Sequence, residues 1–169
     1  VLQANRELIE EASAGGEEVC RQAGVPIGGG HSIDAVEPLY GLVALGLIDP
    51  AKVKRNDQAQ AGDVLILGKA LGVGIMSAAL KKGELKDKAY QQMLESATQL
   101  NTPGIRLAEM AGVHALADVT GFGLLGHLLE MCRGSGLQAR LNLDAVPILS
   151  AARPLVHTGL GTRASDRTR

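Results

Sequence analysis

Aromatic residues are almost missing from this chain: they make up 2% of it, with no tryptophan, one phenylalanine and two tyrosines. Any core must therefore be aliphatic. Sustained basic runs are missing too, and a net charge of -1 excludes a surface made mainly to hold nucleic acid, which needs clustered Lys and Arg. A bound phosphate would be bound locally. No apolar run approaches the roughly 18 residues of a membrane span, and nothing at the start resembles a signal peptide, so no membrane association and a cytoplasmic location are expected. Cysteine is scarce. Cys20 and Cys132 lie far apart, each on an expected helix and neither in a Cys-x-x-Cys pair, which excludes a disulfide framework or thiol zinc site and leaves buried packing as the expected role.

What is abundant is glycine, 22 of 169 residues, beside a hydrophobic share of 46% and a charged share of 21%. The length allows one large domain, or one domain plus part of another. The first residues, Val1-Leu2-Gln3, already lie within a helical pattern, so a longer parent is expected.

Along the chain, Leu8, Ile9, Ala12, Val19, Cys20 and Ala23 mark an amphipathic helix, or two helices if Gly15-Gly16 interrupts it, with Gly24 and Pro26 as the stop. A glycine loop, Gly28-Gly29-Gly30-His31-Ser32, leads into a buried strand over residues 39–48. Asp49-Pro50 and the polar stretch to Asp63 suggest a boundary. Val64-Leu65-Ile66-Leu67 is expected as a buried strand. Helices are expected over residues 75–82, 87–100 and 103–112, the last opened by Thr102-Pro103. Leu137, Ala139, Leu141 and Leu143 alternate with polar residues, as in a strand with one buried face.

The remaining stretch carries the most chemistry. Val113 to Ala117 is expected as a short strand, and Leu124, Leu125, Leu128, Leu129 and Cys132 form one helical face. Between them, Asp118-Val119-Thr120-Gly121-Phe122-Gly123 sets a carboxylate and a hydroxyl before a helix start, which suits anion or metal chemistry. Asp118 could hold magnesium together with phosphate oxygens, or could cap the helix. Thr120 could cap the helix or touch a phosphate. His127, on the polar side of the leucine face, is expected at the surface.

Gly121-x-Gly123-x-x-Gly126, with Asp144 after the next expected strand, also matches the dinucleotide fingerprint. The insertion of Asp118-Val119-Thr120 weighs against it, since a carboxylate beside a pyrophosphate repels it unless a cation intervenes. Gly28-Gly29-Gly30 could wrap an anion with backbone N–H groups, or could serve a tight entry into a strand. Gly62 to Lys69 fails as a P-loop in spacing and at Ala70, where Ser or Thr is required. Lys69 is expected as a solvated or helix-facing charge.

Two longer motifs carry a resemblance. Gly29-Gly30-His31-Ser32-Ile33-Asp34 with Glu37-Pro38 and Tyr40-Gly41-Leu42, and Asp118 through Leu128 with Glu130-Met131-Cys132, supported by Cys20-Arg21-Gln22-Ala23-Gly24, closely resemble the selenophosphate synthetases. These are ATP-using members of the aminoimidazole ribonucleotide synthetase-like superfamily. The resemblance runs from about Glu10 to about Pro147.

That resemblance implies an α+β, two-domain architecture. Residues 1–48 would be the C-terminal part of the N-terminal ATP-binding domain, and residues 49–169 an incomplete C-terminal α+β domain; the loss of patterning after Pro147 separately makes a mobile tail expected at Arg163–Arg169. It further implies synthesis of selenophosphate from ATP, selenide and water, releasing AMP and phosphate, with Mg2+. Asp118 would be a metal ligand. Gly29, Gly30 and His31 would contact ATP across a homodimer.

The family's reactive Cys or selenocysteine, the lysine beside it and its first-domain aspartates have no counterpart in this chain. No catalytic residue is therefore assigned, neither Cys20 nor Cys132 inherits the role, and the chain alone is expected to be inactive. Departures include Ala117 where Thr is usual, and Gly68 and Ala70 in place of a Thr-Lys-Pro segment. Two other readings stay open. Another enzyme of the superfamily, such as a purine-pathway synthetase or thiamine phosphate kinase, would lack the His31-Ser32 pair and the Phe122-to-His127 signature. A non-catalytic dimerisation module would need neither.

Overall fold

The computed structural model describes residues 2–33, 35, 36 and 38–158. Asp34, Glu37 and the tail Arg163–Arg169, named above, lie outside the described residues. Contacts divide the chain into two units: the described residues up to Asp49 together with Leu100–Thr102, and Pro50–Gln99 with the described residues from Pro103 onward.

In the first unit, α1 (Leu2–Ala23) is one unbroken helix of 22 residues. Gly15-Gly16 does not interrupt it. A Cβ at Gly16 would fall 2.0 Å from the hydroxyl oxygen of Tyr40, so this glycine admits the tyrosine to the helix surface. The helix ends at Gly24, whose φ is 69°. There the N–H of Gly24 donates to the Arg21 carbonyl at 3.1 Å and that of Val25 to the Cys20 carbonyl at 2.9 Å, a left-handed glycine cap. Beyond it the chain is irregular and exposed, with Val43 at 89% and Leu45 at 92% exposure.

The second unit contains α2 (Val73–Lys81), α3 (Asp87–Thr98), α4 (Pro103–Glu109) and α5 (Gly123–Ser135), with short 3-10 turns at Pro50–Lys52, Leu143–Ala145 and Arg153–Thr158. Its core is small and aliphatic, as the scarcity of aromatics requires: Met76 and Ala152 are fully buried and Met93 nearly so. Ile75, Leu85, Tyr90, Ile148 and Leu149 pack around them. Two devices hold this core together. Leu71 and Ile148 form a parallel bridge, in which the Leu71 N–H donates to Pro147 at 2.9 Å and its carbonyl accepts from Leu149 at 2.8 Å. Gly72, with φ of 136°, passes so close to the last turn that a Cβ would meet that of Ala152 at 2.5 Å.

Lys69 takes the helix-facing alternative. Its ammonium donates to the Ser96 carbonyl at 3.3 Å and also to that of Gln99, a cation placed at the negative end of α3.

The strands expected over 39–48, 64–67, 113–117 and 137–143 are not formed: among the described residues the only β pairing is the Leu71–Ile148 bridge. Apolar runs and alternation report a demand for burial, whereas a strand needs a neighbouring backbone as well. The 64–67 segment lacks such a neighbour, leaving Val64 at 83% and Ile66 at 90% exposure. In the 137–143 segment, Leu143 already belongs to a 3-10 turn in which the Asn142 side chain accepts from the Asp144 N–H. Among the described residues no helix is long and apolar enough to cross a membrane.

Candidate functional site

The turn before α5 is built from glycine and one histidine. The Gly123 N–H closes back onto the Thr120 carbonyl at 3.0 Å, and Gly123 has φ of 68°, a conformation that a side chain would strain. A Cβ at Gly126 would stand 2.7 Å from the Cβ of Phe122. Both glycines are thus explained by the path of the turn. Asp144, the acid that the disfavoured dinucleotide reading would need for a ribose, sits in a 3-10 turn, and no strand precedes the glycines. The dinucleotide geometry is not present.

His127 departs from its expected surface position. Its side chain is only 12% exposed. Nε2 accepts from the Thr120 N–H at 3.1 Å and lies 3.2 Å from the Thr120 hydroxyl. The Phe122 ring tilts against the imidazole at 5.7 Å between centroids. Hydrophobic periodicity could not flag this role, because the contact runs backward from the helix into the turn. The available signal was spacing: a long polar side chain in the first turns of a helix can satisfy an N–H ahead of it, as in a capping box.

Asp118 lies in the irregular stretch two residues before Thr120 and is exposed. It is not a cap: the residue at the helix start is Phe122, with no side-chain capping bond. Nor does the Thr120 hydroxyl cap the helix, since its neighbour is His127 Nε2. The Asp118 carboxylate makes no hydrogen bond or ion pair with another described residue. Magnesium takes one or two carboxylates and fills the rest of its shell with phosphate oxygens and water, so the accessible Asp118 fits one position in such a shell. Among the described residues no group of three His, Cys, Asp or Glu side chains is gathered for a metal.

Gly29, Gly30 and His31 belong to the first unit and are exposed. None of the three glycines from Gly28 to Gly30 has a left-handed φ, and no atom lies within 4 Å of a Cβ built on them. Cys20 and Cys132 are free thiols on helices, half-buried rather than fully packed away.

Beside the Phe122 turn, a groove of about 460 Å³ runs between residues 56–57 and α5, lined by Asn56, Asp57, Phe122, Glu130 and Arg133. The loop is fastened to the helix at three points. Asn56 Nδ2 donates to Glu130 at 3.2 Å, the Ala59 N–H to the Ser135 hydroxyl at 3.0 Å, and Gly134 leaves room for Asp57, whose Cβ would be 2.7 Å from an added one.

Farther along the same loop, Asp63 accepts from the Gln60 N–H at 2.8 Å and pairs with His114 Nδ1 at 2.8 Å. The Gln60 N–H, followed by the His114 contact, holds the Asp63 carboxyl below its ordinary range. A depressed carboxyl contributes stability above the unfolded-state pKa and loses it as pH falls through the folded value. Asp63→Asn should therefore lower the melting temperature near neutral pH and have a shrinking effect through the acidic carboxylate range. Thermal melts of both proteins from pH 7 to pH 3 check this, and a difference independent of pH would refute it.

Comparison with known proteins adds what geometry alone does not supply. Residues 60–163 match the family model described as AIR synthase related protein, C-terminal domain, and residues 1–48 the corresponding N-terminal domain. Over 161 residues, 95% of this chain, it is 60% identical to a protein of Dechloromonas aromatica (strain RCB) named Selenide, water dikinase, of which that stretch is 46%. A protein of the same name from Burkholderia pseudomallei (strain K96243) is 58% identical over the same share. One from Rhizobium meliloti (strain 1021) is 54% identical over 94% of this chain and 46% of its own length. The chain spans about half the length of these relatives.

Proposed function

Because the chain belongs to the AIR synthase related proteins, we propose that the whole protein works as a selenide, water dikinase, forming selenophosphate, AMP and phosphate from ATP, selenide and water. The observation that carries this reading is the 60% identity, over 95% of this chain, to a protein named for that activity. The motif from Asp118 to Leu128 supports it.

The whole protein would have the α+β, two-domain architecture of its superfamily. Residues 1–48 would complete its ATP-binding domain and residues 49–169 would form most of the second. The family match at 1–48 and the contact division after Asp49 favour that partition. Segments 39–48 and 64–67, apolar and exposed here, would be strands of its sheets.

In this reading Asp118 contributes one carboxylate to magnesium, and Gly29, Gly30 and His31 approach ATP, with two copies of the protein completing the site. When bound, the ion would offset the negative charge of the triphosphate. The chain's own contributions are an exposed carboxylate directed by the Thr120 turn and backbone N–H groups at glycines with no side chain to obstruct a phosphate. A cytoplasmic location suits ATP as substrate.

Phosphorus NMR of the whole protein with ATP and selenide tests the proposal. AMP, orthophosphate and selenophosphate should appear together and only when selenide is present. Selenide-independent formation of ADP would overturn it.

A further inference from the structure

The backbone of Thr120 is held at both of its polar groups. Its carbonyl accepts from the Gly123 N–H at 3.0 Å, and its N–H donates to His127 Nε2 at 3.1 Å. The first bond belongs to the turn itself. The second comes from a side chain of α5, seven residues away. Accepting a backbone N–H requires a lone pair on Nε2, so the ring proton resides on Nδ1. Nδ1 faces Glu130 Oε2 at 3.7 Å, and Glu130 is itself engaged by Asn56. With Phe122 against one side of the ring, the imidazole has a defined tautomer and a restricted orientation.

Asp118 makes no bond of its own to a described residue, and its Cα is within two residue lengths of Thr120, about 7 Å at most. Whatever fixes Thr120 therefore limits where the Asp118 carboxylate can go.

We propose that His127 is a positioning residue for the metal site: by gripping the Thr120 N–H from α5 it aims the Asp118 carboxylate. The proposal rests on Asp118 being a magnesium ligand. Groups that orient a ligand without touching the metal commonly change affinity by about 10- to 100-fold when removed. His127→Phe keeps a ring of similar size against Phe122 but has no acceptor. His127→Gln places an amide oxygen close to where Nε2 stands and restores it.

The test uses Mn2+ in the presence of ATP, with the dissociation constant of the ion read by electron paramagnetic resonance on the whole protein. His127→Phe should weaken Mn2+ binding by about 10-fold or more, and His127→Gln should recover most of that. Asp118→Asn is measured alongside. If Asp118→Asn weakens binding and His127→Phe does not, the positioning role is wrong while the metal ligand stands. If Asp118→Asn itself has no effect, the ligand reading falls and this inference with it. A readout independent of any variant's folding is the nitrogen NMR spectrum of His127 in the unaltered protein. Protonation at Nδ1 is expected, and a proton on Nε2 would overturn the proposal.

Discussion

Asp118→Asn in the whole protein should reduce magnesium-dependent ATP consumption by about 100-fold or more while leaving the melting temperature nearly unchanged. A bound metal ion stabilises charge on phosphoryl oxygens by several kcal/mol, and losing about 3 kcal/mol of that costs roughly 100-fold in rate. A helix cap replaced by alanine would instead lose about 1 kcal/mol of stability, whereas asparagine caps as well as aspartate, so Asp118→Ala supplies the stability comparison. The structure separates these cases, because the start of α5 has no side-chain capping bond and Asp118 is exposed. Parallel measurements of AMP formation and thermal unfolding decide between them. An Asp118→Asn variant with full activity and normal melting refutes the ligand role, and an Asp118→Ala variant that melts early while keeping its activity restores the cap.

Gly72→Ala is the substitution expected to damage the fold most. Its φ of 136° lies where a side chain is strained, at a cost of about 1–3 kcal/mol. The added Cβ would press to 2.5 Å against the Cβ of Ala152, a fully buried residue beside Met76 and Met93 with no space to retreat. Overpacking of that kind costs about 1–3 kcal/mol more. A total loss of roughly 3 kcal/mol should appear as a lower denaturation midpoint with an unchanged slope. Gly104→Ala provides the contrast. That glycine lies in α4 with nothing within 4 Å of an added Cβ, so alanine there should raise stability by about 0.5 kcal/mol. Equal effects from the two substitutions would show that the close approach at Gly72 is not what the core depends on.

Local rules made the helices readable. The Leu and Ala spacing before Gly24, the first-turn Pro103 and the leucine face of α5 all act through contacts within one helix, and those elements are present close to where they were expected. Strands depend on a second backbone, and residues 64–67 show the difference: their apolar character is evident in the sequence, but the partner that would pair them is not.

The site divides in the same way. Asp118 stands out in the sequence as a candidate ligand because a carboxylate before a glycine turn has few explanations, and its exposed side chain is compatible with that role. For His127 the helical face gives only where the Cβ begins, whereas its burial and its bond to Thr120 depend on where Nε2 ends. Glycines at 15 and 16 were equally ambiguous. Only the position of Tyr40 shows that Gly16 admits a neighbour instead of breaking a helix.

The close pass at Gly126 limits which histories this motif could have had. The atom that an added methyl would strike is the Cβ of Phe122, which every residue except glycine possesses. Trimming Phe122 to alanine would thus give Gly126→Ala no relief, and only glycine at 122 would. Position 126 is therefore closed to compensation by ordinary changes next to it. Changes in the side chain at 122 beyond its Cβ thus leave this constraint untouched, and the glycine four residues later stays for as long as the backbone keeps its course.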